Sequence, residues 1–360
     1  MYKVIKFEKE TEYIEKFLDL PIKIYSKKEI MQNRNEEMEI LTETHVLSRY
    51  FQIYRFLVVD DKNSPCARAI VTIYPDDPNA YIGFFESIKS AQVSKILLEE
   101  AENFIHSLGK EKIVGPMDCS IWIKYRFKVN EFSHPYTGEP YNKPYYPKMF
   151  LDAGYQIAVE YKSNQYAKVA AEIDEKKYSQ RLEKAKEDGY RFLSPKKENF
   201  AQTLKQVYKL LIELYSNFPG YKFVEEAEFT HLFAYLNKII NYNMVKLVYD
   251  NEQLVGFFIS IPNYKNIVYG KLTLLDYLKI LKIKLITKEY VMLYMGIDLN
   301  HRGLGKALTE EIKEELKRNQ ATSIGALIRK GNINENYFET LIEKEYHYVL
   351  MEKVINSVSS

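Results

Sequence analysis

The stretch "IDLNHRGLGKALTEEIKEELK", residues 297–317, decides the fold. It begins as the end of "YVMLYMGID" (290–298), an apolar run with the aromatic and branched content of a strand. It passes Gly303 and Gly305 and continues with Leu304, Ala307, Leu308, Ile312 and Leu316 at helical spacing. That spacing puts Glu310, Lys313, Glu314 and Lys317 on the opposite, water-facing side. A strand that runs through glycines straight into a helix leaves the helix's first N–H groups without partners. Those groups, with the helix dipole, form a site for an anion. Gly303 and Gly305 permit close approach and unusual dihedrals, and Arg302 and Lys306 add positive charge at the same end. A pyrophosphate, whose adjacent phosphates can share several donors, is the natural guest. A tight turn that binds nothing is the other reading, because the turn is neither a Walker P-loop nor a GxGxxG fingerprint.

The surroundings of the turn have a fixed order. "MVKLVYDNEQLVGFFISIP" (244–262) reads as a hairpin turning at Asp250 and Asn251, "EEAEFTHLFAYLNKII" (225–240) as a helix before it, and "SIGALIRK" (323–330) as a strand after the turn. "NENYFETLIEKEY" (334–346) is expected to be helical and "HYVLMEKVI" (347–355) a strand. The same succession occurs earlier. "IYRFLVVDD" (53–61) and "ARAIVTIYP" (67–75) pair as a hairpin, "YIGFFES" (81–87) is a strand, and "SAQVSKILLEEAENFIHSLG" (90–109) is a helix. "KIVGPM", the short helix "YYPKMFLDAGY" and the strand "QIAVEY" close the cycle. The architecture is thus duplicated, with expected domains at 1–165 and 166–360. The charged segment 172–202 is the connection into the second domain. Length supports the division, since 360 residues exceed what one hydrophobic core usually organises.

Composition is that of an ordinary globular protein, with 46% hydrophobic and 28% charged residues. Lys plus Arg number 51 against 49 Asp plus Glu, interspersed, so no basic patch points to nucleic acid. The two cysteines, Cys66 and Cys119, are too few for a disulfide framework, and no His/Cys/Asp cluster has metal-ligand spacing. No leader-like start and no apolar run of membrane-spanning length is present, so a cytoplasmic protein, monomer or homodimer, is expected.

"NHRGLGKAL" (300–308) resembles the acetyl-CoA-binding motif of the GNAT superfamily of N-acetyltransferases: Gln or Arg, two residues, Gly, one residue, Gly or Ala. Arg302, Gly305 and Ala307 fit that pattern; a register through Gly303 and Gly305 would place Asn300 first. "YIGFFES", "LLEEAENFIHSLGKEKIVGPM", "PYNKPYYPKMFLDAGY", "LYSNFPGYKFVEEAEF" and "LVGFFISIPNYKN" are similar to segments of bacterial proteins built from two such domains in tandem. The resemblance implies a mixed-sheet α/β acyl-CoA N-acyltransferase fold and acetyl-CoA as acyl donor. It implies that Met295, Gly296 and Ile297 hold the pantetheine arm, and that Arg302, Gly303, Leu304, Gly305, Lys306 and Ala307 hold the pyrophosphate. Asn332 or Asn334 would reach toward the cofactor. The tyrosine that the family uses to protonate the leaving thiolate is replaced by Leu341, and Tyr337, one turn earlier, is a possible substitute. The first half has neither glycine pair nor arginine between "YIGFFES" and its helix. It is expected to have lost cofactor binding and to wall the active site of the second half.

Acyl transfer to an amine needs a deprotonated amine, a positioned thioester and donors for the developing oxyanion. Strand alternation places Tyr290, Met292 and Tyr294 on one face, so Tyr294 is a candidate to face the thioester, or else a packed core tyrosine. Glu226, with Glu225 and Glu228, is a candidate base or simply the acidic start of a helix. Phe218 and Tyr221 in "SNFPGYKF" are candidate acceptor contacts. The Pro- and Tyr-rich loop 134–147 is either a rigid connection or a lid on the second domain's cleft. The expected function is N-acetyl transfer from acetyl-CoA to a small-molecule amine. Aminoacyl transfer of the tandem-domain peptidoglycan-bridge type and a catalytically silent CoA-binding or protein-interaction module are the alternatives.

Overall fold

The computed structural model describes residues 1–169, 176–216, 218–270, 272–301, 303–331 and 337–355. The first half comprises β1 (Lys3–Phe7), α1 (Thr11–Ile24), α2 (Arg34–Leu41), β2 (Gln52–Val59), β3 (Pro65–Ile73), β4 (Asn79–Ser87), α3 (Ala91–Ser107) and β5 (Lys112–Gly115). The short strands β6 (Met117–Asp118), β7 (Lys124–Tyr125) and β8 (Phe127–Lys128) follow, then α4 (Tyr146–Asp152) and the long β9 (Gln156–Tyr166). The second half comprises α5 (Lys176–Glu187), β10 (Arg191–Leu193), α6 (Phe200–Tyr215), α7 (Glu226–Phe233), α8 (Leu236–Ile239), β11 (Val245–Asp250), β12 (Gln253–Pro262) and α9 (Leu274–Ile286). It ends with β13 (Glu289–Ile297), α10 (Leu304–Asn319), β14 (Thr322–Arg329) and β15 (Ile342–Val354).

Among the described residues both halves contribute to one mixed sheet, in the order β1-β2-β3-β4-β5-β15-β9-β14-β13-β12-β11-β10, with β8 also on β15. In each half the strand-to-helix unit joins parallel strands, β4 to β5 through α3 and β13 to β14 through α10. The last strands are exchanged. β15 enters the first half beside β5, and β9 enters the second beside β14. β9 and β15 then pair with each other from Ile342↔Tyr166 to Glu352↔Gln156. β3 is buried at every position, as a strand covered on both faces must be. Its cover is α3 on one side, through Val93, Leu97, Leu98, Ala101 and Ile105, and α1 on the other, through Phe17 and Leu18.

Two expectations are corrected. Glu310 and Lys313 do not face water; each is 4% exposed, and they pair at 2.7 Å. Leu304, Ala307, Leu308 and Ile312 do form the core face, but α5 packs across α10, with Ala185 in the same cluster, so the helix is covered on more than one side. The segment 334–346 is not an α-helix where described. Glu339–Leu341 is a single 3-10 turn, and Ile342 already starts β15, because its partners on β9 extend the ladder that far. Conversely, α9 carries Leu274, Leu278, Leu281 and Leu285 on one stripe, each more than half exposed. No described helix is long and apolar enough to cross a membrane.

Candidate functional site

β13 and β14 run together from Glu289↔Thr322 to Met292↔Gly325 and then part. From Leu293 onward the β14-side backbone groups of β13 have no ladder partner. On its other edge β13 stays paired with β12 as far as Gly256↔Ile297, but Tyr294 lies opposite Ile259 and Met292 opposite Ser260, leaving Leu293 as an extra residue. This bulge breaks the alternation expected from sequence. Tyr290 and Met292 pack on the α10 side with Met295 and Ile297, whereas Tyr294 joins Val291 and Leu293 on the side of α6 and α7. A bulge of one residue carries Tyr294 to the other face of the sheet.

The splay opens on a cavity of about 170 Å³. Phe218, Phe258, Met292, Met295, Ile312, Leu316 and Leu341 make its wall apolar; Tyr215, Tyr294 and Tyr337 bring polar edges. Lys313 also lines it, neutralised by Glu310. Burial, and next Tyr215, holds the Tyr294 phenol above its ordinary value; burial, and next Tyr178, does the same for Tyr337. Both hydroxyls therefore stay protonated through neutral pH and can donate.

At the outer end of the splay the chain turns into α10. Gly303 is the N-cap, with φ +98°, and among the described residues no side chain caps the helix. The local carboxylate is turned away: Asp298 accepts the N–H of Asn300 at 2.8 Å. Arg181, on α5, comes to 3.9 Å of where a Cβ on Gly303 would lie, a cation that the local motif could not reveal. Tyr190 holds His301 at 2.9 Å through Nδ1. At Gly305 a Cβ would stand 3.2 Å from Tyr337 Oη and 3.4 Å from Met295 Cε. The absent side chain there makes room for the protein's own tyrosine and not only for a phosphate.

The structure brings Met295, Tyr294, Tyr337 and Phe218 together on one cavity. Leu304 and Ala307 are core residues, so only their backbone can face a ligand, as at Gly303, whereas Lys306 is half-buried. Gly296 is laddered to Phe257 and packs on Leu214 and Phe257, while Ile297 packs toward α10. Arg302, Asn332 and Asn334 lie outside the described residues. Glu226 is not on the cavity; its carboxylate pairs with Lys205 at 3.2 Å in the first turn of α7. Tyr221 is not on it either, its ring lying against Trp122 at 6.1 Å.

Residues 218–225 are clamped by the first half. Trp122 Nε1 donates to the Lys222 carbonyl at 2.8 Å, Lys222 pairs with Asp77, and the Glu225 N–H donates to Tyr50 Oη at 3.0 Å. The loop 134–147 is built in: Tyr136 bonds Ser163 at 2.9 Å and Tyr348 at 3.0 Å, Thr137 N–H donates to Asn263 at 3.1 Å, and Gly138 N–H donates to Tyr269 at 3.0 Å. It passes close to β13 from the first half: a Cβ on Gly138 would lie 3.5 Å from Leu293 Cδ2.

The corresponding place in the first half is closed. β4 and β5 also part after Tyr81↔Val114, but the backbone of β6 fills the gap, so a Cβ on Gly83 would lie 2.0 Å from the Met117 carbonyl oxygen. Asp118 accepts the Phe84 N–H, Tyr146 accepts the Ser87 N–H, and Ser90 caps α3. The donors that the second half leaves open are satisfied here by side chains.

Among the described residues no group of three or more His, Cys, Asp and Glu could hold a metal. No family model matches the chain, and no curated protein matches it. Solved structures do. A tandem GNAT protein from the clavulanic acid biosynthesis pathway is similar over 100% of both chains, with 9% identity and a TM-score of 0.55. A GCN5-related N-acetyltransferase from Anabaena variabilis is similar over 99% of this chain and 73% of its own, with 9% identity and a TM-score of 0.53. The glucosamine N-acetyltransferase region of a fungal multi-domain beta-N-acetylglucosaminidase matches 98% of this chain and 38% of that one, at 13% identity and a TM-score of 0.53. At these identities the likeness is one of backbone, and it extends from end to end: the chain has the fold of the tandem GNAT N-acetyltransferases.

Proposed function

We propose that the protein is an acyltransferase whose second half takes the acyl group from acetyl-CoA and delivers it to an amine of a small-molecule acceptor. The observation that carries this reading is the parting of β13 and β14 beside the uncapped, glycine-started α10. In the first half the same positions are filled by β6, Tyr146 and Ser90, and we assign it no cofactor. The donors that survive only in the second half fit the co-substrate. N–H groups at Gly303, Leu304, Gly305 and Lys306, with Arg181 nearby, suit a pyrophosphate. The unpaired edge of β13 suits an amide-bearing arm, and the apolar wall suits an acyl group.

In the transfer step the amine lone pair forms the N–C bond and the carbonyl oxygen takes negative charge; the C=O bond then re-forms as the C–S bond breaks, the thiolate takes the Tyr337 proton, and the proton lost by the nitrogen returns through solvent to the phenol. Backbone N–H groups of β13 beyond Met292, which have no ladder partner on the β14 side, are the groups we assign to the oxyanion. Tyr337, kept protonated and pressed on Gly305, is the group assigned to protonate the sulfur; Tyr294, on the opposite wall, orients the amine. Glu226 takes no part, since Lys205 holds it elsewhere. Calorimetric titration with acetyl-CoA, followed by thiol detection across an amine panel, tests the reading. Saturable binding and amine-dependent thiol release are expected. Absence of binding removes the acyltransferase, and binding without release on any amine leaves a CoA-binding module.

A further inference from the structure

The first half places one cation beside this cavity that the acyl transfer just described does not use. Arg126 lies between β7 and β8, in the left-handed region at φ +84°, and is 6% exposed. Its guanidinium is sandwiched between the rings of Tyr125 and Tyr161, with its carbon 3.8 and 4.0 Å from their centroids. Nε and Nη1 are sealed from solvent and have no acceptor. Other buried cations of the molecule are each paired: Arg68 with Glu37 at 2.8 Å, Lys128 with Glu139 at 2.5 Å, Lys246 with Glu315 at 3.0 Å. Arg126 has no carboxylate within ion-pair distance among the described residues, and the groups that feel its charge are the phenols of Tyr161, Tyr136, Tyr215 and Tyr348. Burial pushes it down to about 10.

A buried charge without a partner is costly, and aromatic faces offset only part of that cost. An arrangement that keeps the charge, removes every internal acceptor and fixes the fork between two rings is prepared for an outside anion. Position says which one. The two rings that hold Arg126 both touch Phe218, at 6.3 and 6.4 Å, and Phe218 lines the cavity with Tyr215 and Tyr294. Arg126 also acts on the Tyr294 phenol. The anion is therefore one aromatic ring away from the splay, on the side of the sheet where the bulge has turned Tyr294. A single cation in a cage of phenols balances one negative charge and not two, and its planar fork matches the two oxygens of a carboxylate.

We infer that Arg126 binds a carboxylate of the acceptor, so that the substrate of the site is an amino carboxylate and not a plain amine. This rests on the acyltransferase reading for the role of the amine, but not for the anion site itself. The test compares ω-amino acids with the amines left when the carboxylate is removed, such as β-alanine and ethylamine, on the wild type, Arg126→Met and Arg126→Lys. The wild type is expected to prefer the carboxylated member by about ten- to a hundredfold in kcat/KM, carried by KM. Arg126→Met should erase that preference while the Kd for acetyl-CoA stays unchanged, and Arg126→Lys should keep part of it. Calorimetry with the amino acids alone, without acetyl-CoA, should show binding that Arg126→Met abolishes. If Arg126→Met does not fold, Arg126→Lys carries the same comparisons. Equal treatment of each pair by the wild type, a preference that survives the substitution, or amino-acid binding independent of Arg126 would overturn the inference. Arg126-dependent binding of amino acids by a protein that ignores acetyl-CoA would instead sink the acyltransferase and leave the anion site standing.

Discussion

Gly303 holds φ at +98°, where a side chain is strained, at the point where α10 starts without a capping side chain. Gly303→Val should cost roughly 1–3 kcal/mol in stability and weaken acetyl-CoA at least tenfold by calorimetry, because the strained turn and its donors are one object. An affinity unchanged in the folded variant would show that the turn does not hold the co-substrate. Tyr337→Phe keeps the ring against Gly305 and removes the proton. A fall in kcat of about a hundredfold with an unchanged Kd for acetyl-CoA is expected, whereas a full rate would exclude the hydroxyl as the acid. Glu36, in the first turn of α2, is pushed from the ordinary 4.5 up to about 7, by burial first and by Glu37 next. The folded chain thus retains a proton there that the unfolded chain has lost. Stability from this group falls as pH rises from about 4.5 to about 7. Glu36→Gln should gain on the wild type across that window, in denaturant midpoints measured at pH 5 and pH 7.5; a constant difference would refute the assignment. At this scale the sequence was legible where chemistry is local. Gly303 and Met295 could be picked out because a turn and a strand sit next to each other in the chain; Tyr337 comes from the family resemblance and Phe218 from the aromatic run "SNFPGYKF", and both line the cavity. Arg181, Trp122 and Arg126 could not, since each meets the site only through the fold, and Tyr294 was assigned to the wrong face because a bulge leaves no mark on alternation.

α10 and α9 show how differently two apolar helices can be used. Leu308 on α10 is fully buried, while Leu281 on α9 is 53% exposed. Leu308→Ala should cost about 2–5 kcal/mol by chemical denaturation, and Leu281→Ser should shift the same midpoint hardly at all. A comparable loss at Leu281 would mean that α9 is packed in solution. Periodicity located α10, but it set Glu310 and Lys313 in water, because the helix α5 that covers them comes from a charged segment that reads as a solvated connection. The reverse holds for residues 339–345, whose composition fits a helix but whose ladder with β9 makes them a 3-10 turn and a strand. Pairing partners from the other half override local preference here.

For the molecule as a whole, the duplicated order of hairpin, strand, helix and strand was visible in the chain, and the exchange of β9 and β15 was not. Alternation tells which face a strand buries, never which neighbour it takes. The exchange stitches both halves into one ladder, and the buried Lys128–Glu139 pair with Tyr348 and Tyr136 lies at the seam. One cooperative transition by both circular dichroism and fluorescence is expected, and a fragment of residues 1–169 should not reach a native-like spectrum. Two separated transitions, or a folded fragment, would show that the halves stand alone.

The same crossing sets a timetable for biosynthesis. On the ribosome, β5 and β9 emerge some 175 residues or more before β15. Until residues 342–354 arrive, the nascent polypeptide carries two exposed backbone edges with nothing to pair with except each other or a neighbouring chain. Coexpression of a holding chaperone is therefore expected to raise the yield of native protein.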